Sequence, residues 1–220
     1  MQTPHDILGA LLANATKAGN SPAVAPKPIL ERIEYVCRCL GNRACVRLLM
    51  SCMLAKLDRP HVDPRKPYTE IGGDDCFSGR TYDERYLTSF INTNRLPCNS
   101  TTAFLTPALR NQDSALTTRT VLVGRPRRAY QDTLQLLDDV AVGRVAAEQV
   151  LTDALRILIA LRDEKQWRMK GLVEALQHGD DALPLPAEAI VTLLQQHLAC
   201  KHSSRLAVLI VAAAYQAVWQ

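Results

Sequence analysis

The chain has 220 residues, enough for one sizeable domain or two small ones. Hydrophobic residues make up 47% of it and charged residues 22%, a composition that excludes disordered and collagen-like chains. The formal net charge of +4 permits an anionic partner but falls short of the charge of strongly basic nucleic-acid binders.

No apolar run is long enough to cross a bilayer, and the N-terminus lacks the basic and apolar pattern of a secretory signal. We therefore expect a cytoplasmic protein with no membrane partner. In that compartment the cysteines should be reduced, and most should be small buried apolar side chains. Their number is odd, and they are Cys37, Cys39, Cys45, Cys52, Cys76, Cys98 and Cys200.

Apolar residues at helical spacing predict helices in the first and last thirds of the chain. The first of these helices follows Asp6, which is a plausible N-cap. A shorter helix over about 81–91 is predicted in the middle third, and another over about 101–110. The other predicted helices span about 29–40, 43–57, 130–140, 146–177, 186–200 and 205–219.

The middle of the chain loses this helical pattern, because prolines and glycines interrupt it repeatedly. We divide the chain into N-terminal helices (1–57), an irregular arginine-rich segment (58–128) and C-terminal helices (129–220) that pack with the first. The fold class is therefore mainly α, a helical bundle-like domain with a long irregular central segment and little or no β structure. A compact domain rarely carries so long an irregular segment without a use for it, so we expect the function there.

One candidate site lies where the irregular segment leads into the helix predicted over about 81–91. Ser78 and Arg80 stand at its start, where hydroxyls, free backbone N–H groups and a guanidinium suit a phosphate. Helical spacing also brings Tyr82 and Arg85 near one another. The alternative interpretation makes Ser78 a simple N-cap and pairs the two arginines with neighbouring carboxylates.

A second candidate site is a run of five arginines opposed only by Asp113. The five are Arg110, Arg119, Arg125, Arg127 and Arg128. Arginine carries a planar fork that suits phosphate oxygens or a guanine edge, and the hydroxyl and amide side chains nearby are common on DNA-contacting loops. The alternative is a solvated basic loop that pairs with the acidic turn at Asp138 and Asp139.

Both sites favour DNA as the ligand, bound mainly through phosphates, with arginines or asparagines that read base edges. The candidate contact residues are Ser78, Arg80, Tyr82, Arg85, Asn99, Thr101, Arg110, Asn111, Arg125, Arg127 and Arg128.

The sequence also offers a candidate catalytic centre. The one candidate centre is a carboxylate cluster of Asp74, Asp75 and Glu84, which would make a magnesium-dependent nuclease. The cysteine spacings do not fit a zinc site, and no glycine-rich nucleotide-binding loop is present. We therefore expect no catalytic residues, no metal and no cofactor in these 220 residues, with Mg²⁺ required only if the nuclease alternative holds.

Two stretches between Cys45 and Asn111 carry a family resemblance: RACVRLLMSCMLAKLDRPHVDPRKP and FSGRTYDERYLTSFINTNRLPCNSTTAFLTPALRN. They resemble the N-terminal half of SacI-type restriction endonucleases. The later stretch RLAVLIVAAAYQAV is similar to the point where such proteins lead into their nuclease half. The resemblance implies the recognition part of a type II restriction endonuclease, although no nuclease motif follows here.

The sequence therefore predicts a DNA-binding recognition module of a bacterial restriction or phage-defence system that lacks its own nuclease centre. Its expected partners are double-stranded DNA, plain or modified, and a second copy or a nuclease domain or subunit. Two alternatives stay open besides this one. The first is the magnesium-dependent nuclease, and the second is a helical protein-interaction subunit whose apolar final helix docks on a partner.

Overall fold

The structure is a computed structural model that describes residues 2–17, 24–39, 41–99 and 101–177, with side chains as far as Gly171. It is mainly α, as the sequence predicts, and the described ranges contain no strand. The α-helices are α1 (Pro4–Lys17), α2 (Lys27–Arg38), α3 (Ala44–Asp58), α4 (Gly79–Thr81), α5 (Thr88–Thr93), α6 (Arg127–Ala141) and α7 (Ala147–Gln177). A π-helical turn, Tyr82–Leu87, joins α4 to α5, and 3₁₀ turns cover Thr69–Ile71 and Ala103–Leu105.

The start of α1 differs from the prediction by one turn. Thr3, and not Asp6, precedes the helix, since the backbone N–H of Ile7 donates to the Thr3 carbonyl. The Thr3 hydroxyl accepts from the backbone N–H of Asp6 at 3.3 Å, and the Asp6 carboxylate accepts from the backbone N–H of Thr3 at 2.9 Å. This reciprocal pair is a capping box, in which both residues share the capping of the first turn.

In the middle third, the structure shortens one predicted helix to a single turn. The helix predicted over about 101–110 is reduced to the 3₁₀ turn Ala103–Leu105. Residues 120–123 are extended chain that pairs with no strand among the described residues. The helices predicted over about 186–200 and 205–219 lie outside the described residues.

Helix α3 is the centre of the core. Twelve of its fifteen residues are buried, because α1, α2, α6 and the turns of the central segment pack around it. Such a helix is apolar nearly all round, in contrast to α2 and α6, which each present one apolar face. The irregular segment is therefore fixed against α3 on one side.

Residues up to Arg168 form one compact unit that contains the N-terminal helices, the irregular segment, α6 and most of α7. A second unit begins at Met169, and only its residues 169–177 are described. In the described part of the chain, no helix is both long enough and apolar enough to cross a membrane.

Candidate nucleic-acid interface

A buried ion pair between Arg47 of α3 and Asp83 of the π-helical turn organises the central segment. Both side chains are almost fully buried, and the Arg47 Nε donates to the Asp83 Oδ1 at 2.7 Å. The other Asp83 oxygen accepts from the Thr102 hydroxyl and from the backbone N–H of Ala103, each at 2.7 Å. Buried charges are tolerated when they are paired and hydrogen-bonded in this way.

Arg47 also reaches two further parts of the segment. Its guanidinium donates to the Asn99 carbonyl at 2.6 Å and to the Thr88 hydroxyl at 2.7 Å. The Thr88 hydroxyl in turn donates to the Asp83 carbonyl at 2.9 Å, across the widened π turn. The half-buried Asn99 thus contributes its backbone to the interior, while Thr101 is exposed.

The first candidate site takes the capping arrangement that the sequence leaves as an alternative. Ser78 is the N-cap of α4, and its hydroxyl accepts from the backbone N–H of Thr81 at 3.2 Å. The exposed Arg80 donates to the Glu84 carboxylate at 2.8 Å. The hydroxyl and the guanidinium that the sequence assigns to a phosphate are therefore engaged within the protein.

Tyr82 is wrongly included in the predicted contact set, because it faces the interior with 6% of its surface exposed. Its hydroxyl donates to the Asp58 carboxylate, and burial together with this hydrogen bond raises the pKa of Tyr82 to about 12. Arg85 is exposed and lies over the ring of Tyr86, with its guanidinium carbon 5.6 Å from the ring centre. Tyr82 and Arg85 do not present a joint phosphate site.

A cleft of about 440 Å³, which we call the Arg110 cleft, brings together four of the predicted residues. The residues that line it include Arg110, Asn111, Ser78 and Arg80, together with Phe104. Arg110 is exposed and has no ion-pair partner among the described residues.

A second group forms the arginine strip, defined as residues 119–127. Exposure alternates along it, so that every odd residue faces solvent, as expected for an extended chain. The outward residues are Arg119, Val121, Val123, Arg125 and Arg127. None of the three arginines has a carboxylate within ion-pair distance in the described part of the structure.

The acidic turn at Asp138 and Asp139, which the sequence offers as a partner for the basic loop, is already occupied by other arginines. Asp138 accepts from Arg65 at 3.1 Å, and Asp139 accepts from Arg144 at 3.2 Å and from Arg32 at 3.5 Å. The alternative in which the basic loop pairs with Asp138 and Asp139 is therefore not what the structure shows.

Both ends of the strip are attached to the helical core. At one end, the backbone N–H of Thr118 donates to the Asp138 carboxylate at 3.0 Å. At the other, the side-chain amide of the buried Asn42 donates to the Arg125 carbonyl at 3.3 Å.

The inward side of the strip packs against the core and against α6. Leu122 is half-buried on the core. Gly124 lies so close to Tyr130 that a Cβ at this position would be 2.4 Å from the ring. The strip and α6 together line a cleft of about 530 Å³.

Helix α6 begins directly after the strip with two arginines in its first turn and no acidic residue there. Arg128 is satisfied internally, since it pairs with Asp132 at 3.1 Å and lies over the ring of Tyr35 at 4.0 Å. Arg127 has no such partner among the described residues.

Two of the three carboxylates of the nuclease alternative are paired with cationic side chains. Asp75 pairs with Lys66 at 2.7 Å, and Glu84 pairs with Arg80. Among the described residues, no three histidines, cysteines or carboxylates form a group that could hold a metal ion.

Sequence reasoning missed two features of this region. Arg119 counts among the five arginines but not among the predicted contacts, and the two exposed valines were not singled out. The alternation of arginine and valine at odd positions is the signal that identifies the strip.

Comparison of the sequence with protein-family models finds no matching family, and comparison with curated proteins finds no relative. The resemblance to SacI-type restriction endonucleases therefore stays a prediction. A function has to be proposed from the geometry of the described residues.

Proposed function

We propose that this protein binds double-stranded DNA through the arginine strip. The observation that carries the proposal is a set of three exposed guanidinium groups, those of Arg119, Arg125 and Arg127, which flank an extended segment and have no ion-pair partner among the described residues. Some other exposed arginines, such as Arg80, Arg144 and Arg168, have carboxylate partners. Cations without partners on one surface are the arrangement that a polyanion neutralises.

The dimensions of the strip fit a duplex. An extended chain rises about 3.3 Å per residue, so Arg119 and Arg125 are separated by at most roughly 20 Å. This distance corresponds to about six base pairs, and a duplex presents phosphates on both sides of each groove along that length.

The start of α6 adds a second argument. The N-terminal end of a helix carries a partial positive charge, so Arg127 and Arg128 in the first turn are unfavourable by about 0.3–1 kcal/mol each. A bound phosphate at this end would remove that repulsion and use the positive end of the helix as well. Asp132 compensates Arg128, whereas Arg127 has no ion-pair partner among the described residues. A local rule that is broken without internal compensation is expected at a functional position.

The resemblance noted in the sequence favours a biological setting for this DNA binding, namely a recognition module of a bacterial restriction or phage-defence system. The strip would supply the DNA contact that such a module requires. Cleavage would then come from a nuclease domain or subunit.

The test is the salt dependence of binding to a 30-base-pair duplex. Each neutralised phosphate steepens the slope of log affinity against log salt by about 0.9. We expect the variant R119A/R125A/R127A to bind more weakly at low salt and to lose up to about 2.7 of that slope.

The matched control is R80A/R144A/R168A, which removes the same formal charge from exposed arginines that have ion-pair partners. It should keep most of the salt slope. The proposal is overturned if the wild-type chain does not bind the duplex at low salt, or if the two triple variants weaken binding equally.

A further inference from the structure

Two valines occupy the centre of the arginine strip, where a surface that only binds phosphates would have polar residues. Val121 is 86% exposed and Val123 is 82% exposed, the highest values among the large apolar side chains of the described residues. Arginines flank them on both sides. We infer that the strip lies in the minor groove of A·T-rich DNA, an inference that rests on the proposed function and specifies its target.

The shape of the strip fits the minor groove. The groove is about 6 Å wide, too narrow for an α-helix, whose diameter with side chains is about 10–12 Å. Residues 120–124 are a single extended chain without a neighbouring strand in the described structure. Arginine side chains favour the narrow minor groove of A·T tracts because its negative potential is stronger there.

The backbone of the strip offers N–H donors to a ligand. The N–H groups of Val121, Leu122 and Val123 make no hydrogen bond within the described residues. The floor of an A·T minor groove presents only acceptors, adenine N3 and thymine O2. Free donors on the protein and acceptors on the DNA are complementary.

The side chains explain why a G·C pair would be rejected. Guanine adds an amino donor to the minor-groove floor, and a valine side chain has no acceptor for it. The hydroxyl of Thr120 is already bonded to the Ala115 carbonyl and to the backbone N–H of Thr117. A guanine amino group beneath Val121 and Val123 would meet apolar side chains in place of water, which disfavours that base pair.

Three duplexes of equal length separate the possible modes of recognition. Their central six base pairs are all A·T, all G·C, or all inosine·cytosine, a pair that lacks the guanine amino group but matches G·C in the major groove. We expect the A·T and inosine·cytosine duplexes to bind with similar affinity and the G·C duplex to bind at least ten-fold more weakly.

The other outcomes overturn the inference. If the inosine·cytosine duplex binds like the G·C duplex, the protein recognises the bases from the major groove. If all three bind equally, the proposed DNA binding stands and the minor-groove inference fails. If none binds, the proposed function itself fails.

The valines are tested by V121N/V123N, which introduces acceptors at two exposed positions that do not contribute to the core. This variant should lose most of the discrimination against the G·C duplex. The control V142N changes a valine that is 58% exposed outside the strip, and it should retain that discrimination. A strip that pairs instead with a second copy of the chain would show a concentration-dependent dimer in sedimentation that V121N/V123N abolishes, and this result would also overturn the inference.

Discussion

At the scale of single residues, the Arg47–Asp83 pair is the most constrained feature of the unit. Neither side chain reaches solvent, and every hydrogen-bonding group of the Asp83 carboxylate has a partner in another segment. Such a pair contributes little net free energy compared with apolar replacements, but removing one partner leaves a buried charge without compensation.

We therefore expect D83N to lower the free energy of unfolding by about 3–5 kcal/mol. The control E84Q breaks the exposed ion pair with Arg80 one residue further on, and it should cost at most about 1 kcal/mol. Urea unfolding followed by circular dichroism measures both. Equal losses for the two variants would contradict the structural role of the buried pair.

At the scale of elements, the start of α4 depends on a close approach that only glycine permits. A Cβ on Gly79 would lie 2.3 Å from the ring of Phe104 and 2.8 Å from Pro67. By contrast, a Cβ on Gly9 in α1 would meet no atom within 4 Å.

These two positions should respond to alanine with opposite signs. G79A forces the 3₁₀ turn at Phe104 away from α4 and should lower the free energy of unfolding by about 1–3 kcal/mol. G9A replaces an exposed glycine in a helix and should raise it by about 0.5–1 kcal/mol. A stabilised G79A in thermal or urea unfolding would show that α4 does not pack as described.

Helical periodicity identified α2, α3, α6 and α7 to within a few residues of their bounds, because apolar residues recur in each of them at helical spacing. It did not identify the Arg47–Asp83 pair, which joins residues 36 positions apart. The only local signal was a charged residue within a helix that is otherwise apolar all round. Such a residue requires a buried partner but does not reveal which one.

For the candidate site, too, the sequence identifies the residues but not their partners. The excess of arginine predicted a cationic region, and the sequence placed it in the irregular segment. Which arginines are free depends in part on distant carboxylates, however: Arg65 pairs with Asp138, 73 positions away, and Arg119 has no ion-pair partner among the described residues. Residue composition cannot distinguish them, because the pairing is decided by tertiary structure.

At the scale of the whole unit, burial of weak acids makes the core sensitive to alkaline conditions. Burial raises the pKa of Cys45 from its ordinary value of 9.0 to about 12, and it raises the pKa of Cys37 and Cys52 as well. The unfolded chain ionises its thiols above about pH 8.5, while the native chain keeps them protonated. The unfolded state therefore gains stability as the pH rises.

We expect the free energy of unfolding to fall between about pH 9 and 12. Each buried thiol contributes a slope of up to about 1.4 kcal/mol per pH unit. C45A should remove one such contribution from the slope measured by urea unfolding at several pH values. The control V46A changes the neighbouring buried residue and should shift the curve without changing its slope. Parallel curves for C45A and wild type would contradict the burial of this thiol.

The anchoring of the strip by Asp138 and Asn42 also bears on how fast a ligand would be captured. A loop that must order itself on contact loses conformational entropy, about 1–2 kcal/mol per backbone residue fixed. Because tethers to the helical core already limit the motion of this segment, most of that loss is incurred when the chain folds. Association should then be governed by electrostatic attraction and diffusion, with encounter rates that decrease as salt screens the guanidinium charges.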